Sequence, residues 1–338
     1  MRAQFFSIKP WEKAYLESKI KNLGIDLKAE YFENQLDKDT LLEDRGAEII
    51  SVFVGSQVDK SVINSFPNLK LITTRSTGYD HVDVSSAKEK NIPVSYVPAY
   101  GENTVAEFAF GLILALSRKI YLSVDQIRES GSFSQDNLQG FDLKGKTLGV
   151  VGTGRIGKHI IKMAKGFDMN VVAYDPFPDL EFQKEVDYEY LSLEDLLKQS
   201  DVVSIHVPYT KETHHLINAD RIKLMKKGSL LINTARGPIV ETESLVMALK
   251  NGHLGGAGLD VLEEENITSG EMDFIKGGHP EEHDLKTVLA NHVLIDMPNV
   301  LVTPHNAFNT REALERILDT TLENIQSFLA GTPKNLVK

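Results

Sequence analysis

The chain has 338 residues and a formal net charge of −11, with 37 Lys and Arg against 48 Asp and Glu. This length predicts two domains, and the negative charge argues against nucleic acid or an anionic membrane surface as a partner. The absence of cysteine excludes disulfides, thiolate metal sites and cysteine nucleophiles, and it is typical of a reducing compartment. The longest nearly apolar run, Phe108–Leu116, is far shorter than the ~20 residues that span a bilayer. Because there is also no signal-peptide pattern, we expect a cytoplasmic protein.

Before residue 100, four short apolar runs predict β-strands. They are Gln4–Ile8, Glu48–Val54, Leu69–Thr73 and Pro93–Tyr96. A long helix is predicted next, from Asn103 to Ile120, because Thr104 and Glu107 have the spacing of a capping box and an apolar run follows them. This apolar run is typical of a core helix or of a helix at a subunit interface.

From residue 145 onward, strand and helix patterns alternate regularly. Six apolar, β-branched runs predict strands that are buried on both faces. They are Thr147–Val151, Asn170–Tyr174, Val202–Val207, Ser229–Asn233, Ala257–Val261 and Val300–Thr303. Helical patterns separate most of these strands, and Ser192 and Asn218 are predicted to be N-caps. The alternation predicts a parallel sheet covered on both sides, with the six strands of a complete dinucleotide-binding unit.

The loop after the first of these six strands has three glycines at G-x-G-x-x-G spacing, in the sequence Gly152-Thr-Gly-Arg-Ile-Gly157. Gly152 would allow a tight turn, Gly154 a close approach to a pyrophosphate, and Gly157 close packing of helix on strand. The following helix would offer backbone amides to the phosphates, and Arg155 and Ile156 belong to the same binding loop. An ordinary βαβ turn is the alternative explanation of this pattern.

Asp175 follows the next predicted strand and indicates which dinucleotide binds. Its carboxylate would accept hydrogen bonds from both hydroxyls of the adenosine ribose, and its charge would repel a 2′-phosphate. We therefore expect NAD rather than NADP as the cofactor. Under the alternative explanation, Asp175 is an ordinary surface carboxylate.

The last amphipathic segment, Thr310–Ala330, has no strand left to pair with, and it is predicted to cross back and cover the N-terminal sheet. The predicted fold class is therefore α/β, with two Rossmann-like domains built on parallel sheets. A six-stranded NAD-binding domain, residues 102–303, is inserted in a discontinuous flavodoxin-like substrate domain, residues 1–101 and 304–338.

Three polar segments follow three of the predicted strands, at the sheet edge where ligands bind. Arg236 comes first, then the acidic stretch from Asp260 to Glu265, and then His305. A guanidinium group can bind a carboxylate through two parallel hydrogen bonds, and a histidine can transfer a proton near neutral pH. A carboxylate hydrogen-bonded to that histidine would fix its tautomer and favour its charged form. Each segment alone has an ordinary structural explanation, but together they predict an acid–base site.

These motifs resemble those of the D-isomer-specific 2-hydroxyacid dehydrogenases, most closely the D-lactate dehydrogenase branch, over essentially the whole chain. The resemblance implies NAD-dependent interconversion of a small 2-oxo acid and its D-2-hydroxy acid. It implies that Arg236 binds the substrate carboxylate, that His305 is the acid–base residue, and that Glu265 rather than Glu263 or Glu264 is its partner. The segment His305-Asn-Ala-Phe308 and the 40-residue gap between Glu265 and His305 favour the lactate branch.

The same resemblance implies further ligand contacts. Asp260 is expected near the nicotinamide, and the cofactor groove is expected to be lined by Val207, Pro208, Thr213, Thr234 and Ala235. The backbone of Thr77 and Gly78 would hold the substrate carboxylate, while Tyr100 and Phe308 would lie beside the methyl group of the substrate. Gly55 stands where some lactate enzymes carry an aromatic residue, which predicts room for longer 2-oxo acids.

We also expect a homodimer formed through the NAD-binding domain, and no metal ion. His279 and His283 are separated by Pro and two Glu, a sequence more typical of a solvated loop than of a zinc site. The alternatives within enzymes are a glyoxylate or hydroxypyruvate reductase and a reductase of larger 2-oxo acids. The alternative outside enzymes is an NAD-responsive, corepressor-like binding protein, which would keep similar catalytic residues.

Overall fold

The computed structural model describes residues 1–265 and 285–337. The chain divides into two compact units, one formed by Met1–Tyr100 and Thr310–Lys338 and the other by Gly101–Asn309. The chain passes between the units after residues 100 and 309, whereas the predicted domain boundaries follow residues 101 and 303.

The described residues form twelve strands and twelve α-helices. The strands are β1 Arg2–Phe5, β2 Lys28–Tyr31, β3 Ile49–Val52, β4 Leu71–Thr74, β5 Val94–Ser95, β6 Thr147–Val151, β7 Asn170–Tyr174, β8 Glu189–Tyr190, β9 Val202–Ile205, β10 Leu230–Asn233, β11 Gly256–Leu259 and β12 Val300–Val302. The helices are α1 Pro10–Asn22, α2 Lys60–Ser65, α3 Val84–Glu89, α4 Glu102–Ser117, α5 Ile120–Ser130, α6 Arg155–Gly166, α7 Leu180–Val186, α8 Leu193–Gln199, α9 Ala219–Leu224, α10 Thr242–Lys250, α11 Leu285–Asp296 and α12 Arg311–Leu329.

The first unit is built on a parallel sheet of five strands in the order β2-β1-β3-β4-β5. This is the flavodoxin-like order, so the predicted fold class of this unit is confirmed. Strand β2 was not predicted, because its sequence Lys-Ala-Glu-Tyr lies at the sheet edge and buries none of its residues fully. An edge strand of this kind lacks the apolar run that marks a strand buried on both faces.

Helix α12 packs on one face of this five-stranded sheet. Leu318, Leu322 and Ile325 lie in one buried cluster with Phe5 of β1 and Leu71 of β4. Burying each of these side chains contributes about 1.5–3 kcal/mol relative to leaving it exposed. The C-terminal helix therefore covers the sheet formed by the N-terminal residues.

The second unit contains a parallel sheet of seven strands in the order β12-β11-β10-β9-β6-β7-β8. Counted within this unit, the order is that of a dinucleotide-binding sheet with one further strand at one edge. The Rossmann-like class is confirmed, but the predicted number of six strands is wrong. The strand that was not predicted is β8. It is only two residues long, which is too short to show a clear hydrophobic pattern.

The start of helix α4 also differs from the prediction. The helix begins at Glu102 after Gly101, and Thr104 is a buried residue inside it, so the capping-box prediction is wrong. The helix lies very close to β11: a Cβ added at Gly258 would be 3.0 Å from Leu112 Cβ. Tertiary packing of this apolar helix, rather than a cap, therefore determines its position.

The N-cap predictions in the same unit are correct. Ser192 accepts a hydrogen bond from the Asp195 amide, and Asn218 accepts one from the Arg221 amide. No helix of the described residues is long and apolar enough to cross a membrane. Within the same residues, no group of three or more His, Cys, Asp or Glu is arranged to hold a metal ion. His279 and His283 lie outside the described residues.

Candidate active site

The glycine loop connects β6 to α6, and at two of its three glycines there is no space for a side chain. Gly152 has φ +96°, and a Cβ at this position would lie 2.8 Å from the backbone of His206. A Cβ at Gly157 would lie 2.0 Å from the carbonyl oxygen of Gly152, whereas one at Gly154 would meet nothing within 4 Å. Gly154 is also the N-cap of α6 and makes no side-chain cap. The loop is therefore tight where helix and strand pack, and open where a pyrophosphate would approach the helix N-terminus.

Asp175 is held against this loop from the end of β7. Its Oδ2 accepts hydrogen bonds from the backbone N–H of Thr153 at 2.7 Å and from the Thr153 hydroxyl at 3.1 Å. Its Oδ1 accepts one from the backbone N–H of Phe177 at 2.8 Å. The carboxylate therefore lies beside the phosphate-binding loop, where a ribose acceptor is needed.

Two tyrosines support this arrangement, and sequence reasoning missed them. The Tyr190 hydroxyl of β8 lies 2.8 Å from the Thr153 hydroxyl and accepts a hydrogen bond from the Tyr188 hydroxyl at 2.8 Å. Burial, followed by the hydrogen bond to Tyr190, raises the pKa of Tyr188. The alternation Tyr188-Glu-Tyr190 was the one signal in the sequence for this edge strand.

Two buried polar atoms near the ends of β9 and β10 have no hydrogen-bond partner within the described part of the chain. They are His206 Nδ1 and Thr234 Oγ1. Burial lowers the pKa of His206 to about 3, so its imidazole is neutral at physiological pH. Buried polar atoms without a hydrogen-bond partner lower the stability of a folded protein. Together with the open position at Gly154, they fit a bound dinucleotide.

The other cofactor-groove residues of the prediction lie in the same unit. Val207 is buried, and its Cγ1 would be 2.9 Å from a Cβ at Gly152. Pro208 is exposed, and its carbonyl oxygen accepts a hydrogen bond from Thr213 Oγ1 at 2.8 Å. The side chain of Arg155 is exposed, and its Nη1 lies 3.8 Å from Oε1 of Glu102. Their contacts with the cofactor, like that of half-buried Ile156, stay predictions.

The three polar segments follow three neighbouring strands, because β10, β11 and β12 are adjacent and parallel in the sheet. Arg236 follows β10, Asp260 to Glu265 follow β11, and His305 follows β12. All three loops therefore leave the carboxyl edge of the same sheet.

His305 and Glu265 form a direct pair. His305 Nδ1 lies 2.8 Å from Glu265 Oε1, and both side chains are partly exposed. No described residue forms a hydrogen bond with Nε2 of this imidazole. The backbone of His305 has φ +49°, in the left-handed region that is unfavourable for most residues. Such a conformation is frequent at functional sites, where surrounding contacts maintain it.

The Glu263 side chain contacts Thr242 and His215 rather than His305. Its carboxylate accepts hydrogen bonds from the Thr242 backbone at 3.0 Å and from the Thr242 hydroxyl at 2.5 Å, at the start of α10. It also lies 2.8 Å from His215 Nε2. The Asn291 side chain donates to the Glu263 carbonyl oxygen at 2.6 Å. Glu263 therefore anchors the loop that carries Glu265, and it is not the partner of His305.

Asp260 holds the backbone around His305 through hydrogen bonds. Its carboxylate is almost fully buried and accepts hydrogen bonds from the Thr303 hydroxyl at 2.5 Å and from the backbone N–H groups of Asn306 and Ala307, each at 2.8 Å. The His305 backbone N–H donates to the Asp260 carbonyl oxygen at 2.8 Å. Burial is the largest influence on the carboxyl group and raises the pKa of Asp260. The structure thus gives Asp260 a positioning role, and its expected place near the nicotinamide stays a prediction.

Arg236 is presented by a short turn. Buried Asn233 accepts a hydrogen bond from the Ala235 backbone at 3.0 Å and donates one to the Arg236 carbonyl oxygen at 2.9 Å. Nη1 of Arg236 donates to the Ala235 carbonyl oxygen at 2.7 Å. A Cβ at Gly237 would lie 2.0 Å from the Leu262 backbone. The arginine loop therefore packs directly against the loop that carries Glu265.

Phe308 and the remaining substrate residues belong to different units. The Phe308 ring packs edge-on against the His305 imidazole, with 6.4 Å between ring centroids. In the first unit, the Thr77 hydroxyl donates to the Val97 carbonyl oxygen at 2.8 Å, and the Tyr100 carbonyl oxygen accepts from Arg316 at 2.5 Å. Their contacts with substrate, and those of Gly78, stay predictions.

The expectation of room for longer 2-oxo acids beside Gly55 stays a prediction. This residue has φ +104°, and a Cβ on it would lie 2.5 Å from the side-chain amide of Gln35. A side chain there would be strained whatever the space. An aromatic residue at this position would therefore require both movement of the Gln35 side chain and a strained backbone.

The sheet order, the glycine loop with its ribose carboxylate and the His–Glu pair at the carboxyl edge define an NAD-dependent oxidoreductase. The family model "D-isomer specific 2-hydroxyacid dehydrogenase, NAD binding domain" matches residues 110–307. The chain is 36% identical over 341 residues to a glyoxylate reductase of Thermococcus litoralis, covering 96% of both proteins. It is 35% identical over 343 residues to a D-lactate dehydrogenase of Escherichia coli, covering 100% of both.

A solved structure agrees with these relatives. The D-lactate dehydrogenase of Aquifex aeolicus, crystallised with NAD and lactic acid, matches with a TM-score of 0.84 and 38% identity, covering 98% of this chain and 96% of that one. This chain belongs to the D-isomer-specific 2-hydroxyacid dehydrogenase family, as the motifs indicated. The expectation of NAD as its cofactor is confirmed.

The position of Asp175 predicts the choice of dinucleotide. Asp175→Ala is expected to lower kcat/KM for NADH by about tenfold or more, because two hydrogen bonds to a charged acceptor are lost. The loss for NADPH should be smaller, since the repulsion of the 2′-phosphate disappears as well. Steady-state rates with both cofactors measure this. Asp220→Ala, which removes an exposed carboxylate of the same unit, is the control, and an unchanged NADH-to-NADPH ratio in Asp175→Ala would contradict the assignment.

Proposed function

We propose that this enzyme is a D-lactate dehydrogenase that reduces pyruvate to D-lactate, with His305 as its acid–base residue. The observation that carries the proposal is the His305–Glu265 pair at 2.8 Å, on loops next to the one that presents Arg236. A proton donor, a carboxylate that orients it and a guanidinium for a substrate carboxylate are the groups that reduction of a 2-oxo acid requires.

In the proposed mechanism, the glycine loop and Asp175 would hold NADH, which would supply the hydride that reduces the keto carbon. Protonated His305 donates its Nε2 proton to the carbonyl oxygen, so that hydride and proton together convert the 2-oxo acid into the 2-hydroxy acid. Glu265 accepts the hydrogen bond of Nδ1–H, which fixes the imidazole orientation and stabilises its positive charge before proton transfer. Arg236 binds the substrate carboxylate through two parallel hydrogen bonds and thereby orients the keto group.

Lactate is favoured over other small 2-hydroxy acids by the segment around Phe308. This ring lies next to the His305 imidazole and would contact the substituent on the keto carbon. The glyoxylate reductase among the relatives supports a second candidate, because glyoxylate lacks the methyl group of pyruvate. Comparing kcat/KM for pyruvate and glyoxylate decides between them, and a higher value for glyoxylate would favour the second candidate.

The acid–base pair can be tested through the pH dependence of pyruvate reduction. In Glu265→Gln the imidazolium loses the negative charge beside it, so the rate should decline at a lower pH than in the wild type. His305→Gln should be slower by roughly 10²–10⁴-fold at every pH, as for loss of a general acid. Rates from pH 5 to 9 measure both effects.

Glu264→Gln is the matched control for this test, because it makes the same change one residue away. Its pH profile should coincide with that of the wild type. If Glu265→Gln also left the profile in place, Glu265 would not be the partner that acts on the proton.

The substrate-size proposal is tested at Phe308. Phe308→Ala is expected to raise kcat/KM for 4-methyl-2-oxopentanoate relative to pyruvate by about tenfold, because a hydrophobic contact of one or two carbons is worth about 1–3 kcal/mol. 2-Oxobutyrate should show an intermediate change. Equal changes for all three acids would mean that Phe308 does not contact the substrate side chain.

We also propose that the enzyme is a homodimer formed through the second unit. Helix α5 buries none of its residues, and Ile120, Val124 and Ile127 lie along one side of it with 50%, 38% and 44% of their surface exposed. Nearby Phe133 is 84% exposed. A continuous apolar strip of this kind is typical of a surface that contacts another protein.

The homodimer predicts a change of mass when this strip is made polar. The double variant Val124→Asp, Ile127→Asp should sediment as a monomer, whereas the wild type sediments as a dimer. Glu129→Lys changes the charge on the other side of the same helix and should remain dimeric. A monomeric wild type at micromolar concentration would refute the dimer without affecting the proposed reaction.

A further inference from the structure

A buried arginine lies at the carboxyl edge of the five-stranded sheet. Arg75 directly follows β4 and is 2% exposed. Its Nη1 donates to the carbonyl oxygen and the hydroxyl of Ser51 at 3.1 and 3.0 Å, one residue before the end of β3. Its Nη2 donates to the carbonyl oxygens of Phe6 and Ser7 at 2.5 and 3.1 Å, just beyond β1. The guanidinium therefore links the ends of two strands.

None of these acceptors carries a charge. Arg75 forms no ion pair with any residue in the ranges 1–265 and 285–337. The acid that acts on it from a distance is buried Glu12 of α1, whose Oε2 accepts a hydrogen bond from the Lys9 backbone at 2.7 Å. Burial lowers the pKa of Arg75 to about 10, so the group is still cationic at neutral pH. A buried cation without a paired anion is costly to the folded protein.

The residues after Arg75 form a loop that contains two consecutive backbone donors, at Thr77 and Gly78. The Ser76 hydroxyl donates to the Gly78 carbonyl oxygen at 2.6 Å, and the Ser76 carbonyl oxygen accepts from the Val97 backbone at 3.0 Å. The backbone N–H groups of Thr77 and Gly78 donate to no residue that the structure describes. Consecutive N–H groups without an intramolecular acceptor can provide a binding site for an anion.

We propose that Arg75 is a positioning residue whose buried positive charge promotes binding of the substrate carboxylate to the Thr77 and Gly78 amides. This rests on the proposed function, in which the anion is a small 2-oxo acid. Gly78 is three residues from Arg75, so chain geometry limits their Cα separation to about 11 Å. The guanidinium lies within one side-chain length of the Arg75 Cα, and a charge buried in the protein is screened less than a charge in water, so it attracts an anion over a longer distance.

The test compares three variants that change charge and shape separately. Arg75→Met removes the charge and keeps an unbranched side chain, while Arg75→Lys keeps a charge but loses the planar fork. Glu12→Gln removes the acid that partly offsets Arg75 and retains an oxygen for the Lys9 amide. The ligand is oxamate, an unreactive analogue of pyruvate, titrated into the NADH-bound enzyme at pH 6, where a buried lysine retains its charge more readily.

Binding is followed through the ¹⁵N–¹H resonances of Thr77 and Gly78, and pyruvate kinetics are measured in parallel. Arg75→Met should weaken oxamate binding about tenfold and raise KM for pyruvate with little change in kcat. Arg75→Lys should stay within about twofold of the wild type. Glu12→Gln should bind oxamate about twofold more tightly, because less negative charge then faces the site.

Equal losses of oxamate affinity in Arg75→Met and Arg75→Lys would show that the hydrogen bonds of Arg75 matter and its charge does not. Unchanged affinity in both variants would show that Arg75 has no role in binding. Either result overturns the proposal. If Arg75→Met does not fold, Glu12→Gln decides, and an affinity equal to that of the wild type overturns it. The proposed function fails separately if the wild type turns over no 2-oxo acid. Oxamate shifts at Thr77 and Gly78 that respond to Arg75 would still support the anion site in that case.

Discussion

The geometry of the proposed acid–base site depends on the buried carboxylate of Asp260. Left-handed backbone at a residue such as His305 costs about 1–3 kcal/mol, and it persists only if neighbouring contacts offset that cost. Asp260 accepts three hydrogen bonds from the loop around His305, and hydrogen bonds to an ionised group contribute about 1.5–3 kcal/mol each. The carboxylate thus outweighs the strain and holds the imidazole where Glu265 can reach Nδ1.

The same interaction joins the two loops that carry His305 and Glu265. Asp260 begins the loop after β11, and Glu265 lies a few residues further along the same loop. Glu263 fastens that loop to the start of α10, and the missing side chain of Gly237 lets the arginine loop touch it. Three functional side chains are therefore positioned by one packed group of backbone segments, in which a single added Cβ would collide with the main chain.

The molecule carries a net negative charge, because acidic residues outnumber basic ones, and yet its expected ligands are anions. Surface charges act weakly beyond a Debye length of about 8–10 Å in physiological salt. In the proposed site, backbone N–H groups at the start of α6, the Thr77 and Gly78 amides and the guanidinium group of Arg236 would bind anions at short range. Local donors therefore decide where an anion can bind, and the overall charge governs only distant encounters.

Sequence alone determined the features that depend on neighbours in the chain. The glycine spacing, the carboxylate after the second strand of that unit and the alternation of strand and helix predicted the dinucleotide-binding unit, because a phosphate loop needs small residues at set positions. The two correct N-caps belong to the same group, since a cap is a contact between residues three positions apart. The resemblance added roles for Arg236, Glu265 and His305.

Tertiary structure decided whatever depended on residues distant in sequence. On residue types alone, Glu263, Glu264 and Glu265 are equivalent partners for His305, and only the fold directs one to the imidazole and another to Thr242. The edge strands β2 and β8 were missed because short, half-exposed strands exist through pairing rather than through their own apolar pattern. The side chain of Gln35 beside Gly55, the burial of Arg75 and the hydrogen bonds of Asp260 follow from contacts that no local pattern encodes. Sequence thus determined the chemistry available to the protein, and folding determined which groups meet, because each of those contacts joins segments far apart along the chain.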